Sequence, residues 1–344
     1  MTQHDMNAIV AKATAYLRKE QYLAAANAFN VLYDRTQDPK AAHDLAYCYN
    51  LAGKLTDAEK WFRKAESLWH RPLPPADSME TVRCPLCNSA KFQRVWVGNT
   101  AEAYPEVYGI FDQIKIWVKC SRCHLVYANP RPTKQALERY YSAFYASKNG
   151  IESQVQAEEA YDRLMYCEQI INAVEECRGG EVGTLLEVGS GVGFQLAVAS
   201  YRGWKVTGME LDADTARFCK RTFGCDVFSA DLESHTFSRD DQYDVVVMSE
   251  VLEHLFSPAS SIQKLVGVLA PGGVLLLSTP DLSHPFHILF QQADPMWAVA
   301  SHLTYWSREG IENLLESTGL TIVKTSFSPV YRGSQYFYAK RGGN

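Results

Sequence analysis

Over the first 70 or so residues the apolar positions recur at helical spacing, with small residues alternating with aromatics. Ala13/Ala46, Tyr16/Tyr49, Ala25/Ala58 and Phe29/Phe62 repeat at one offset of 33 residues, and Gly53 marks a turn inside the second unit. Arg71-Pro72-Leu73-Pro74-Pro75 then breaks the helical text, because proline lacks a backbone donor and biases its predecessor toward extended conformations. Short β-rich runs follow at 92–97 and 114–118. Residues 133–145 predict a helix carrying Tyr140, Tyr141 and Tyr145; the polar stretch 147–158 predicts a linker, and 161–177 an amphipathic helix closed by Gly179-Gly180. From Gly183 onward strands alternate with helices of about ten residues. Strands are predicted at 185–188, 205–209, 226–228, 244–248 and 273–278, helices at 194–202, 212–223, 260–269 and 307–318, and a closing strand pair at 321–327 and 334–340. That alternation predicts an α/β domain built on a parallel, doubly wound sheet.

The N-terminal repeat resembles the tetratricopeptide repeat, with Ala58, Phe62 and Ala65 in its second unit and Leu32 where the first would match Ala65. Two units are fewer than the roughly three that stack into a stable array. They should pack on another domain, on a protein partner or on a second copy of the chain; a helical cap without a binding role is the alternative.

The first strand of the α/β region runs into Glu187-Val188-Gly189-Ser190-Gly191-Val192-Gly193-Phe194, which opens a helix. Glycines at a strand-to-helix turn let backbone approach a ligand, and the helix start offers free N–H groups. The text reads E-x-G-x-G-x-G rather than the dinucleotide G-x-G-x-x-G. It resembles motif I of the class I S-adenosylmethionine (SAM)-dependent methyltransferases. The motifs that follow agree in order: Gly208-Met209-Glu210-Leu211, Ala230-Asp231-Leu232, the strand ending at Met248-Ser249, and Leu269-Ala270-Pro271-Gly272-Gly273. The resemblance covers about residues 160–344. It implies a Rossmann-like seven-stranded sheet with an antiparallel last strand and SAM across its C-terminal edge. Glu187, Gly189, Ser190, Gly191, Gly193, Phe194, Leu211, Leu232 and Ser249 become expected cofactor contacts, with Glu210 on the ribose and Asp231 on the adenine amino group.

The resemblance implies that the residues after the fourth strand, Glu250, Glu253 and His254, lie beside the methyl group, which makes Glu250 and His254 catalytic candidates. His254 is the natural base for a hydroxyl or amine acceptor, and the preferred reading is metal-free. Glu-x-x-Glu-His also resembles the metal motif of ubiquinone-biosynthesis O-methyltransferases and small-RNA 2′-O-methyltransferases, so a Mg²⁺ at Glu250, Glu253 and His254 is the alternative, with His284, His287 or His302 as a fourth ligand. His302 is a second catalytic candidate. His284, Phe286, His287, Phe290 and Trp297 read as a lid over the acceptor.

Four of the nine cysteines form two C-x2-C knuckles, Cys84/Cys87 and Cys120/Cys123, and four thiolates close a structural Zn²⁺ shell. A ribbon of this kind ahead of the methyltransferase text resembles a bacterial architecture whose members act on sugars or small metabolites. The expected organisation is tetratricopeptide-like hairpins at 1–75, a zinc ribbon at 76–132, a helical linker and cofactor lid at 133–180, and the methyltransferase domain at 181–344. Net charge −5 gives no bulk case for nucleic acid. No apolar run reaches the roughly 18–20 residues of a membrane span, no signal peptide is evident, and the cysteine usage is that of a reducing, cytoplasmic compartment. The expected reaction is O-methylation of a small or carrier-bound hydroxylated acceptor such as a sugar. A protein or peptide methyltransferase recruiting through residues 1–75, or a SAM-binding scaffold without turnover, are the rivals.

Overall fold

A computed structural model describes residues 2–146, 151, 155–290, 294–328, 331 and 333–342. Most of the linker at 147–158 lies outside the described residues, as does the side chain of Tyr145. Four antiparallel helices open the chain, α1 (Gln3–Leu17), α2 (Tyr22–Thr36), α3 (Pro39–Leu51) and α4 (Leu55–Trp69). Their small residues Ala13, Ala25, Ala42, Ala46, Ala58 and Ala65 are all fully buried, so the repeat's alanines are where helices approach most closely. Thr2 and Asp5 form a capping box at the start of α1, and Asp38 caps α3 ahead of Pro39 at its first position.

The cysteine region builds β1 (Met79–Glu80), β2 (Phe92–Asn99), β3 (Ile114–Cys120), β4 (Val126–Ala128) and β5 (Arg131–Pro132). Strands β2, β3 and β4 pair antiparallel, and a strand from far downstream, β11 (Thr304–Tyr305), pairs with β4 to complete a four-stranded sheet. This shared sheet is not visible in the alternation of the sequence, because two residues carry no periodicity.

The hairpins do not stand alone. Asn50 at the end of α3 is fully buried; its Nδ2 donates to the Val97 carbonyl at 2.5 Å and its Oδ1 accepts the Val97 N–H at 3.3 Å. From α4, Glu66 accepts from Asn99 Nδ2 at 2.6 Å, while Glu59 pairs with Arg94 and Arg63 with Asp112. Phe62 of α4 shares one apolar cluster with Val97, Ile116 and Val118. Of the homes expected for the hairpins, these contacts use another part of the same chain.

After helix α5 (Lys134–Ala146) and helix Ala157–Cys177 comes the seven-stranded sheet: β6 (Thr184–Val188), β7 (Lys205–Glu210), β8 (Asp226–Ser229), β9 (Tyr243–Ser249), β10 (Leu269–Pro280), β12 (Leu320–Phe327) and β13 (Ser334–Arg341), in the order β12-β13-β10-β9-β6-β7-β8. Pairs from β10 through β8 are parallel, and β13 runs antiparallel to both neighbours. The central strands are apolar on both faces, as a sheet covered by helices on each side requires. The turn expected at 269–273 lies inside β10, where the register shifts between Leu269 and Val274 and Gly272 adopts φ 74°. Among the described residues no helix is long and apolar enough to cross a membrane.

Candidate functional site

Strands β6, β7 and β9 end side by side, and the order of strands reverses between β6 and β9, which opens a crevice at their C-terminal edge. A cavity of about 410 Å³ occupies it. Gly189, Gly191, Glu210, Leu211, Asp231, Leu232, Ser249, Glu250 and His254 are among the residues that line it. Glu210 is buried; its carboxylate accepts the Gly191 N–H at 2.7 Å and the Asp212 N–H at 3.0 Å, so it also fixes the glycine loop. Gly189 has φ 72°, and a Cβ there would fall 2.5 Å from Val251 Cγ2. Ser249 Oγ is buried without a hydrogen-bond partner.

Four expected cofactor contacts stand behind the wall instead. Glu187 is buried, pushed well above the usual carboxylate range by burial and by Glu210. The Ser190 hydroxyl is likewise buried and unpartnered. Phe194 packs with Cys167 and Val192. Gly193 caps the helix Phe194–Tyr201 with φ 90°, and a Cβ on it would lie 2.0 Å from Cys219 Sγ. These residues shape the loop rather than face the cavity. Asp231 does face it, but its Oδ2 is also ion-paired with Lys134 of α5.

The aromatic rings of Tyr104, Tyr140, Tyr141, Phe144, Phe256 and Tyr331 also line the cavity. Tyr104 arrives from the excursion between β2 and β3, which the sequence reading passed over. Its only signal was an unusually long gap between the cysteine knuckles. Tyr141 was seen as part of a tyrosine cluster without a role; its hydroxyl lies 3.1 Å from His254 Nδ1.

His254 Nδ1 also meets the Ser301 carbonyl at 3.2 Å, so this nitrogen carries the proton and Nε2 keeps its lone pair. Burial lowers the imidazole to about 4. His302 sits with its ring centroid 4.7 Å from that of His254. Its Nδ1 is 2.9 Å from the Tyr305 hydroxyl, which itself donates to the Met296 carbonyl, so His302 Nδ1 is the donor and Nε2 is free to accept. That Nε2 is 3.9 Å from Glu253 Oε1, a fully buried oxygen with no hydrogen-bond partner; Oε2 accepts from Thr279 Oγ1. One ligand-capable atom from each of Glu253, His254 and His302 lies within 4.8 Å of the others. The trio expected from sequence is therefore corrected at one member. Glu250 has both oxygens engaged, by Ser278 Oγ and Ser334 Oγ at 2.8 Å each, and burial raises it to about 7. It ties the end of β9 to β10 and β13 and stands outside the cluster.

The expected lid is corrected as well. His284, Phe286, His287, Phe290 and Trp297 do not line the cavity. His287 is buried between the Asp294 carboxylate and the Gly333 carbonyl, and His284 lies against Phe327. Trp297 stacks on Trp96 with centroids 6.0 Å apart and meets Trp117 edge-on at 5.8 Å. Helix α5 covers the crevice in their place.

Away from the cavity, Cys84, Cys87, Cys120 and Cys123 converge. Cys84 and Cys123 sulfurs are 3.5 Å apart, as are those of Cys87 and Cys120. A tetrahedron with metal–sulfur bonds of about 2.3 Å has edges of about 3.8 Å. Asn88 and His124, each following the second cysteine of a knuckle, adopt positive φ of 57° and 61°, so the two knuckles are built alike.

Residues 159–325 match the family model of a methyltransferase domain. The chain is 32% identical to the ubiquinone biosynthesis O-methyltransferase of Shewanella pealeana over 115 residues, 32% of this chain and 49% of that protein. It is 34% identical to the enzyme of the same name from Serratia proteamaculans over 101 residues, 28% of this chain and 42% of that one. The chain thus spans about half the length, or less, of the curated relatives it matches. Among solved structures it resembles the magnesium protoporphyrin IX methyltransferase of Synechocystis, at 14% identity and TM-score 0.45 over 60% of this chain and 97% of that one.

Gly193→Ala tests the packing role assigned to the third loop glycine. The added methyl group must displace Cys219 and hold a strained φ, which should cost roughly 2–4 kcal/mol. A urea denaturation midpoint equal to that of the parent protein would show that the loop tolerates the side chain.

Proposed function

We propose, on the premise that the chain carries a class I SAM-dependent methyltransferase domain, that it methylates an oxygen of a small or carrier-bound hydroxylated acceptor. The observation that carries this reading is a single cavity with two unlike sides. The glycine loop, Glu210 and Asp231 face one half, and aromatic rings with His254 face the other. Glu210 has lone pairs left after its two backbone bonds to accept ribose hydroxyls, and Ser249 Oγ, elsewhere in the same lining, offers an unused polar atom. Rings edged with hydroxyls suit a sugar or another hydroxylated ring, stacking on its faces and bonding at its rim.

The acceptor oxygen displaces the sulfonium in line and loses its proton, leaving S-adenosylhomocysteine. The protein's main contribution is to hold the two reactants at attack distance, which supplies on the order of 7–11 kcal/mol. Tyr141 and the Ser301 carbonyl orient His254 for this. A neutral imidazole that burial has lowered to about 4 is a weak base but a good ligand. With the orphaned Glu253 oxygen and the free His302 Nε2 beside it, the donor set of two imidazoles and one carboxylate fits a divalent ion. We therefore assign Glu253, His254 and His302, rather than Glu250, Glu253 and His254, as the residues that would hold one. Such an ion supplies Lewis-acid polarisation of an acceptor oxygen. The four-cysteine site fits a structural Zn²⁺, with no position left for a substrate.

Glu210→Ala should weaken SAM binding by about 1.5–3 kcal/mol, the worth of hydrogen bonds to a charged group, and loosen the glycine loop with it. Calorimetric affinity equal to that of the parent protein would remove Glu210 from the donor site. For the ribbon, elemental analysis should find about one zinc per chain, lost in Cys120→Ser. Protein purified under reducing, chelator-free conditions with no zinc would refute the assignment. For the acceptor side, methyl transfer should disappear when a mild chelator removes a labile ion and return with Mg²⁺ or Mn²⁺, the zinc content staying constant throughout. Glu253→Gln, His254→Ala and His302→Ala should lose activity to a similar degree, since a coordination shell fails as a unit. Chelator-resistant activity lost only in His254→Ala would instead make His254 a base acting alone.

A further inference from the structure

Strand β3 holds a lysine where a sheet core would carry an apolar residue. Lys115 is 3% exposed, and burial alone lowers its ammonium well below the ordinary lysine range. Among the described residues no carboxylate meets it. Its Nζ donates to the carbonyls of Val299 and Ala300 at 2.9 Å each and to that of His302. All three ammonium hydrogens are thereby used on one short backbone segment. Three carbonyls aimed at one point belong to neither a helix nor a strand; their dipoles repel, and a buried cation holds them together.

That segment carries the acceptor-side machinery. Ser301, between two of the clamped carbonyls, offers the oxygen that receives His254 Nδ1–H, and His302 is itself clamped. Two residues along the same face of β3, Trp117 donates from Nε1 to the Trp297 carbonyl at 3.0 Å and stacks on Tyr305 at 4.4 Å. Tyr305 is the acceptor for His302 Nδ1. Downstream of the clamp, the Leu303 N–H donates to the Glu253 carbonyl at 2.7 Å, and the Leu303 carbonyl accepts from Ala128 of β4.

We propose that Lys115 is a positioning residue of the methyl-transfer site: from the cysteine-bearing sheet it clamps the backbone of 299–302, so that the Ser301 carbonyl fixes the proton of His254 on Nδ1 and His302 stays against Glu253. The proposal rests on the reading of His254 and His302 as acceptor-side residues. An apolar residue in its place leaves three buried carbonyls without their donor. It also makes the ribbon part of the active site, since the strand that ends at the metal-ligating Cys120 begins beside this clamp.

The test uses the full chain with Lys115→Met, which keeps the stem and removes the charge, and Lys115→Gln, which keeps a donor. Long-range ¹H–¹⁵N spectra of the imidazoles report the tautomer of His254, identified by the signals lost in His254→Asn. The parent protein should show the Nδ1–H form. Lys115→Met should show a mixture with Nε2–H, and Lys115→Gln a smaller shift in the same direction. Turnover in Lys115→Met should fall about 10–100-fold, the scale of a misplaced reacting group, while SAM affinity stays unchanged. A folded Lys115→Met with the parent's His254 signals overturns the clamp, whatever the enzyme's activity. An altered tautomer with undiminished turnover keeps the clamp and overturns the acceptor-side role on which it rests.

Discussion

Strand β11 consists of Thr304 and Tyr305, yet by pairing with β4 it joins two regions that are otherwise far apart in the chain. Once Tyr305 is seated against Trp117, the residues before it have little freedom. Trp297 to Leu303 must run along the ribbon sheet, and Glu253 must lie within reach of Leu303. The proposed acceptor side of the cavity follows from that constraint. His254 comes from the end of β9, its orienting carbonyl from Ser301, its neighbour His302 from the same segment, and Tyr104 from the ribbon's own excursion. The donor side has no such dependence, since the glycine loop, Glu210 and Asp231 all arise from local turns of the parallel sheet.

Burial of charge divides along the same line. Glu210 is compensated by backbone N–H groups, and Glu250 by two serine hydroxyls. Glu253 has one oxygen satisfied and one bare, fully inside the protein. Burial, and then the neighbouring Glu250, push its carboxyl well above the usual carboxylate range, and its bare oxygen stays uncompensated inside the protein. It stands beside two imidazoles that burial also holds neutral.

The sequence made the donor side legible because each of its motifs is contiguous: a strand, a turn and a helix start within about ten residues. Gly189, Gly191, Glu210 and Asp231 are expected from that text, and they do line the cavity. The roles of Ser190, Gly193 and Phe194 could not be read from it, since a loop residue facing a ligand and one facing a neighbouring helix have the same spacing. The clash of a Gly193 Cβ with Cys219 is a long-range fact. The acceptor side was legible only in part. His254 and His302 were singled out by residue type, but Glu250 and Glu253 look alike in E-x-x-E-H. What separates them is the pair of serines, Ser278 and Ser334, that engages one and leaves the other bare. Lys115 gave no signal at all, because a lysine in an alternating strand reads as a solvent-facing position.

The helical hairpins enter this arrangement through β2. Asn50 satisfies both backbone groups of Val97, so β2, an edge strand with its outer side unpaired by any strand, is closed by a side chain rather than left open. Phe62 then extends the apolar cluster that runs through Ile116 and Val118 to the parallel sheet. Strand β3, held between β2 and β4, carries Lys115 and Trp117 on its other face. Two hairpins too few to form an array of their own thus pack, through Asn50, Glu59, Glu66 and Phe62, against the sheet that carries Lys115 and Trp117.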